Sequence, residues 1–419
     1  MSMEDRFVGC LLAGACGDAL GAAVEFETEP TIFANYGPSG IRDFDDANGI
    51  RGSFTDDTQM TLFTAEGLLS AVLAFLPLND DLSAFRAEDA LPALHQSYLR
   101  WLSTQKGCSK SPLFELVKEK GSLVHEKRLH RRRSPGMTCL MSLKCGAVGT
   151  DQNKINDSKG CGGVMRVAPC ALIVHSAFGF LSADEKAELA FKLGCLSAAI
   201  THTHPSGWLS SGSQAAIIAR LLHGDCLKDA IAHAVRLLEK EPNNEETLSR
   251  INQAQQLATE YLQNTKLSQL GDSEKQILVL THIHQLGRGF VGEEALAIAL
   301  YTALITNNNV EAAICYAVNH EGDSDSTGAI VGNIVGAVGG VAAIPKRWAV
   351  SVEMRELIEA VSEDLMKVAD ARERDQLVRK YPPAITVYEG QELYKGTMWE
   401  PPRLVYNSDH IEIGLWEKI

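Results

Sequence analysis

Hydrophobic positions along this chain recur mostly at helical spacing. Residues 7–26, FVGCLLAGACGDALGAAVEF, are apolar or small except for Asp18 and Glu25, which predicts a buried helix ending near Glu25. Residues 30–54 are rich in Gly, Pro, Asn and Asp, have no helical period and read as a loop. From Gln59 onward, Met60, Phe63, Leu68, Leu69, Val72 and Leu73 mark a second helix, and Ser83 to Leu102 a third. Periodicity lapses over 104–135, predicting an exposed loop. A turn at Arg133–Thr138 leads into a short helix, and the glycine cluster at Lys159–Arg166 opens another. Residues 225–275 read as a polar helical surface insert. Glu293 to Ile305 is an apolar helix, after Gly287-Arg288-Gly289-Phe290.

Two further stretches shape the fold prediction. From Gly328 to Ile344 the chain is apolar except for Asn333, with glycine at 328, 332, 336 and 340. That four-residue glycine period is the pattern of close helix contact in membranes. The run is single, short for a bilayer and abuts two aspartates, so a buried central helix is expected. The final forty or so residues change character: YPPAITVY, MWEPPRLVY and IEIGLWEKI alternate and carry proline and aromatics, predicting short strands or extended segments. The expected architecture is all-α, with a body over 1–370 and an extension over 371–419 packed on it.

The 419 residues carry a net charge of −14 and are 45% hydrophobic, a composition of globular proteins. Such a balance opposes general binding to nucleic acid, which needs a basic face. The exception, Lys127-Arg128-Leu129-His130-Arg131-Arg132-Arg133, reads as a solvated loop in preference to a phosphate or localisation patch. None of the ten cysteines stands in CxxC spacing, and the acidic start does not fit a signal peptide. Reduced thiols, a cytoplasmic location and no membrane partner are the expectation.

The chemistry concentrates in two acidic clusters. Asp323-Ser324-Asp325-Ser326-Thr327 and Phe54-Thr55-Asp56-Asp57-Thr58 each set carboxylates among hydroxyls. Such carboxylates repel unless a cation sits between them, and these oxygens suit Mg²⁺, Ca²⁺ or Mn²⁺. Two clusters converging fit a two-metal hydrolytic site. Both also precede helical patterns, so helix capping accounts for either alone, and one helix end can do both. The glycines at 160, 162 and 163 either let backbone N–H groups approach a phosphate or form a plain turn. His202 and His204 in THTHP lack the further ligands that zinc needs.

GDALGAAVEF, FTDDTQM, GCGGVMR, THTHP and HEGDSDSTGAI, in that order, resemble the ADP-ribosylhydrolase family from residue 9 to about 345. The joint presence of GCG, THxHPxG and GDSDST is most similar to its arginine-specific branch, whereas Glu25 within GDxxGxxxE is shared with serine-directed and bacterial members. The resemblance implies a compact multi-helix bundle with a binuclear Mg²⁺ centre, Mn²⁺ being an alternative. Thr55, Asp56 and Asp57 would hold one ion, and Asp323 and Ser326 the other, with Asp325 bridging. Gly136, Gly160, Cys161, Gly162, Gly163 and Met165 would line the ADP-ribose channel beside His202, with Phe290 near the nucleotide. Asp56 or Asp57 is assigned to the water and Glu25 to gating or acid/base work.

The implied activity is metal-dependent cleavage of the N-glycosidic bond between ADP-ribose and a modified protein side chain, arginine first. It would reverse the work of a cognate ADP-ribosyltransferase or toxin. Alternatives are serine-linked, O-acetyl or nucleic-acid-linked ADP-ribose, a non-catalytic ADP-ribose binder, and an unrelated two-metal phosphohydrolase. That last chemistry usually draws on a His-Asp pair, and none of the twelve histidines is followed by Asp.

Overall fold

A computed structural model describes residues 1–47, 49–79, 82–385, 387–388 and 391–392. Among them are eighteen α-helices and two short two-stranded hairpins, the all-α architecture expected.

The fold is built on one close helix pair. Helix α1 (Met3–Gly21) opens with a capping box in which Ser2 and Asp5 exchange hydrogen bonds. It ends at Gly21, earlier than periodicity suggested, and residues 22–26 form a turn in which Phe26 takes a left-handed φ of 66°. Helix α2 (Glu29–Tyr36) and a hairpin of β1 (Asp46–Ala47) and β2 (Ile50–Arg51) occupy the stretch read as a loop. Thr28 caps α2 and Pro30 sits in its first turn, signals that outweigh the weak local period.

Helix α3 (Asp56–Asn79) is long and apolar enough to cross a membrane, alone in this among the described residues, but 89% of that stretch is buried inside the protein. The third predicted helix begins later, at Leu91, as α4 (Leu91–Thr104), after a 3₁₀ turn at Ala87–Ala90. The predicted exposed loop over 104–135 contains α5 (Pro112–Val117) and buries Leu123, Leu129 and Arg133. Its short turns had no period to read, and Arg133 is held by a distant partner, Glu353.

Next come α6 (Met137–Cys145), α7 (Ala168–Ala177), α8 (Ala183–Ala199) and α9 (Pro205–His223). In 225–275, α10 (Leu227–Leu238) and α11 (Glu245–Gln263) are amphipathic. Their apolar faces pack chiefly on α9 and on a later helix, α13, respectively. Helices α12 (Asp272–Leu286), α13 (Gly292–Ile305) and α14 (Val310–Val318) precede α15 (Ser324–Gly339).

Helix α15 is the buried glycine-rich helix, and it runs antiparallel to α1 in near backbone contact. A Cβ on Gly17 would stand 2.0 Å from the Gly328 carbonyl oxygen, and one on Gly332 would stand 2.2 Å from that of Ala13. Asn333, the polar residue in this run, donates to the Cys10 carbonyl at 2.9 Å. This register sets the end of α1 beside the start of α15, with Gly21 against Ser324. Glu25 is thereby delivered to the aspartates of α15.

Helices α16 (Lys346–Ala349), α17 (Arg355–Lys367) and α18 (Arg374–Lys380) close the body. The following chain docks through Tyr381, whose hydroxyl donates to Asp364 at 2.6 Å, and through Ile385, which exchanges backbone hydrogen bonds with the Gln96 side chain. At the end of YPPAITVY, β3 (Val387–Tyr388) pairs with β4 (Gln391–Glu392), which follows that segment. The segments MWEPPRLVY and IEIGLWEKI lie outside the described residues.

Candidate metal centre

The first acidic cluster is the opening turn of α3. Its cap comes from another helix: Asp18 accepts hydrogen bonds from the Thr55 N–H at 2.8 Å, the Thr58 N–H at 2.9 Å and the Thr58 hydroxyl at 2.5 Å. Asp18 therefore serves the N-terminal donors that Asp56 and Asp57 would otherwise satisfy. Asp56 accepts from the Gly136 N–H at 3.1 Å, and its own N–H donates to the Arg133 carbonyl at 3.1 Å. The Asp57 N–H bonds the Thr55 hydroxyl at 3.3 Å, while its Oδ2 is buried without a partner. Such an orphaned carboxylate oxygen is costly unless something else binds it.

The second cluster opens α15. Asp323 is its N-cap, accepting from the Ser326 N–H at 3.3 Å, and Asp325 accepts from the same N–H at 2.9 Å. Oxygen atoms of Glu25, Asp323 and Asp325 lie within 4.8 Å of one another. Asp56 and Asp57 lie close enough for Asp325 to be the charged neighbour acting most strongly on each. The structure thus brings Glu25, Asp323 and Asp325 together, with Ser326 bonded to both aspartates and the Thr55–Asp57 turn within their electrostatic reach.

The electrostatics of this gathering call for a cation. Burial, then the charge of Asp325, pushes Asp57 and Asp323 well above the carboxylate range. Burial lifts Asp56 likewise, against the hydrogen bond from Gly136. Glu25 is pushed up to about 10 by burial and by four other carboxylates, and Asp18 to about 7 by burial and Asp325. Buried carboxylates in this arrangement either hold protons or surround a positive charge. The orphaned Asp57 Oδ2 and the all-oxygen donor set fit a hard divalent ion.

A glycine loop borders the centre. Gly160 pairs with Val291, the Cys161 N–H donates to the Phe290 carbonyl at 3.1 Å, and the Gly292 N–H donates to the Lys159 carbonyl at 2.8 Å. Lys159 Nζ bridges Glu293 of α13 at 3.0 Å and Glu246 of α11 at 2.9 Å. His202 packs beneath, so a Cβ on Gly162 would stand 2.9 Å from its ring. Burial and Arg166 hold His202 near 3, as a neutral ring whose Nδ1 meets the Thr201 hydroxyl. His204 instead caps α9. Met165 Sδ lies 4.0 Å from the Ser326 hydroxyl, and the Cys161 thiol lies 2.9 Å from Asp323 Oδ2. Phe290 stacks on the exposed Phe26 with ring centroids 6.1 Å apart.

Two supports escaped the sequence reading. Arg133, the end of the basic run, is 1% exposed, pairs with Glu353 and donates to the Phe54 carbonyl at 2.9 Å, anchoring the loop that delivers Thr55. Arg131 and Arg132 are exposed as expected, but Arg128 pairs with Glu126 and Glu356. Lys159 likewise has partners on two distant helices, which no local signal announces.

Residues 1–375 match the ADP-ribosylglycohydrolase family. The chain is 24% identical to ADP-ribosylhydrolase ARH3 of Bos taurus, covering 87% of this chain and 93% of that one. It is 25% identical to the ADP-ribosyl-[dinitrogen reductase] glycohydrolase of Rhodospirillum rubrum, covering 84% and 92%. In fold it is similar to a solved chain titled ADP-ribosylglycohydrolase-related protein complex, with a TM-score of 0.50 and 22% identity over 88% of this chain and 99% of that one.

Proposed function

The chain belongs to the ADP-ribosylglycohydrolase family, and on that premise we propose that it releases ADP-ribose from a modified protein side chain, with arginine as the first linkage. The observation that supports this most is the meeting of Glu25, the α3 turn and the α15 turn at one centre. In this reading Thr55, Asp56 and Asp57 would hold one Mg²⁺ and Asp323 and Ser326 a second, and Asp325 would serve both. Bound there, the ions supply Lewis-acid polarisation of the ribose oxygens. The glycine loop and His202 seat the ADP-ribose. Asp56 or Asp57 orients the water toward ribose C1, where charge develops as the bond to nitrogen breaks. The protein substrate, modified by a cognate transferase or toxin, is then the partner.

A second reading, an O-linked substrate, is favoured by Glu25. An arginine aglycone is already cationic and departs as neutral guanidine, whereas a serine alkoxide needs a proton as it leaves. A carboxyl beside Asp323 and Asp325 can give that proton. Mass spectrometry of products from arginine- and serine-linked substrates, with Mg²⁺ or EDTA, tests both readings. Metal-dependent release from arginine alone supports the first. Release from serine alone, abolished in Glu25→Gln, supports the second. Binding of ADP-ribose without release from either overturns both.

A further inference from the structure

Arg166 closes the 3₁₀ turn that follows the glycine loop and is fully buried. Among the described residues its partners are neutral. The guanidinium lies 4.3 Å from the Tyr98 ring centroid, meets the sulfurs of Met60 and Cys139 at 3.5 Å, and donates through Nη2 to the Ser197 carbonyl and the Thr201 hydroxyl, each at 2.8 Å. Its Nε has no acceptor. A buried cation without a carboxylate is costly, and apolar side chains fill such space at less cost, so packing alone does not call for an arginine here.

The bond to Thr201 decides the next one. A guanidinium only donates, so the Thr201 oxygen accepts from it and has one proton left to give. The Ala198 carbonyl is 3.4 Å from that oxygen and already takes the backbone N–H groups of Thr201 at 3.0 Å and His202 at 2.9 Å. The Cys139 thiol, also in reach, is a weak acceptor. His202 Nδ1, at 2.9 Å, is the best placed. With Nδ1 accepting, the proton of the neutral ring sits on Nε2. That nitrogen faces the glycine loop, 3.3 Å from where a Cβ on Gly160 would stand and 3.2 Å from one on Gly162.

We propose that Arg166 is a positioning residue: through Thr201 it holds His202 as the Nε2–H tautomer, which presents a hydrogen-bond donor to an oxygen of ADP-ribose on the glycine loop. Without the guanidinium, the Thr201 oxygen is free to accept from Nδ1–H, and Nε2 then turns a bare acceptor toward a ligand rich in acceptors. This rests on the reading in which His202 seats ADP-ribose and is independent of the linkage hydrolysed.

The test follows the ring and the ligand separately in the full chain. Two-bond proton–nitrogen NMR of protein carrying ¹⁵N-histidine reports the tautomer, with the His202 signals assigned by their loss in His202→Gln. Calorimetry with Mg²⁺ present reports ADP-ribose binding. The wild type should show a protonated Nε2 and a bare Nδ1. Thr201→Val, which keeps the side chain's shape, and Arg166→Met, which replaces the buried charge with an apolar chain, should each lose that pattern. Both should weaken ADP-ribose binding about 10-fold, the worth of roughly one hydrogen bond, and raise KM more than they lower kcat. Thr201→Ser should keep the wild-type pattern and affinity, which shape alone does not predict. An Nδ1–H ring in the wild type, or an unchanged tautomer in either Arg166→Met or Thr201→Val, overturns the proposal. ADP-ribose that binds without shifting the His202 Nε2 signal defeats instead the seating of ADP-ribose on His202.

Discussion

Removing Asp18 should uncouple the first metal turn from the body of the protein. Its carboxylate is fully buried and receives three donors from the start of α3. In Asp18→Ala the Thr55 and Thr58 N–H groups lose their acceptor inside the protein. At about 1–3 kcal/mol for each buried orphan, the cost is about 2–6 kcal/mol. Part is recovered because the charge that acts on Asp325 has gone. Asp18→Asn should cost less: its single oxygen can keep the Thr55 N–H, and its amide can donate to the Thr58 hydroxyl, so only the Thr58 N–H is stranded, at about 1–3 kcal/mol. Thr55, Asp56 and Asp57 lie in the loosened turn, so Mg²⁺ affinity should fall by about 10- to 100-fold in the alanine variant. Calorimetric Mg²⁺ titration and urea unfolding measure the two effects. An alanine variant with wild-type affinity and unfolding midpoint would refute the cap, and a costlier asparagine variant would refute the hydrogen-bond count.

Gly17→Ala should severely destabilise or prevent folding, because its Cβ meets backbone of α15 at 2.0 Å, whereas Gly179→Ala, with nothing within 4 Å, should leave the melting temperature unchanged. Lys159→Ala should raise KM more than it lowers kcat by freeing the glycine loop from Glu246 and Glu293, and Lys159→Arg should largely restore KM. An unchanged KM in the alanine variant would count against the loop's dependence on that bridge. His95 is 1% exposed and held down at about 4 by burial. Its folded value lies below the unfolded value of about 6.5, so the stability it confers is present above that value and drains away as pH falls toward 4. Between pH 7 and 5, the wild type should lose about 2 kcal/mol more than His95→Gln in urea unfolding with Mg²⁺ present, and equal losses would contradict this.

What was legible in the chain was local. Long apolar periods announced α3, α13 and α15, and the density of carboxylates and hydroxyls around Asp56 and Asp325 marked the chemistry, because like charges rarely gather without a cause. The glycine spacing announced a helix able to approach another backbone, but not which one. Short elements such as α2 and α5 escaped because a few residues carry too little period, and caps and prolines decided them instead.

The tertiary structure decided which neighbours those local features would have. The register of α1 on α15 set Glu25 against Asp323 and Asp325, and Asp18 beneath Thr55. Arg133 left a solvated-looking run to meet Glu353 some 220 residues away, and Cys161 came to face Asp323 across 162 positions. Such pairings rest on close packing between distant segments. Periodicity and composition specify which residues are buried and charged, but the partner of a buried charge is chosen only when helices pack.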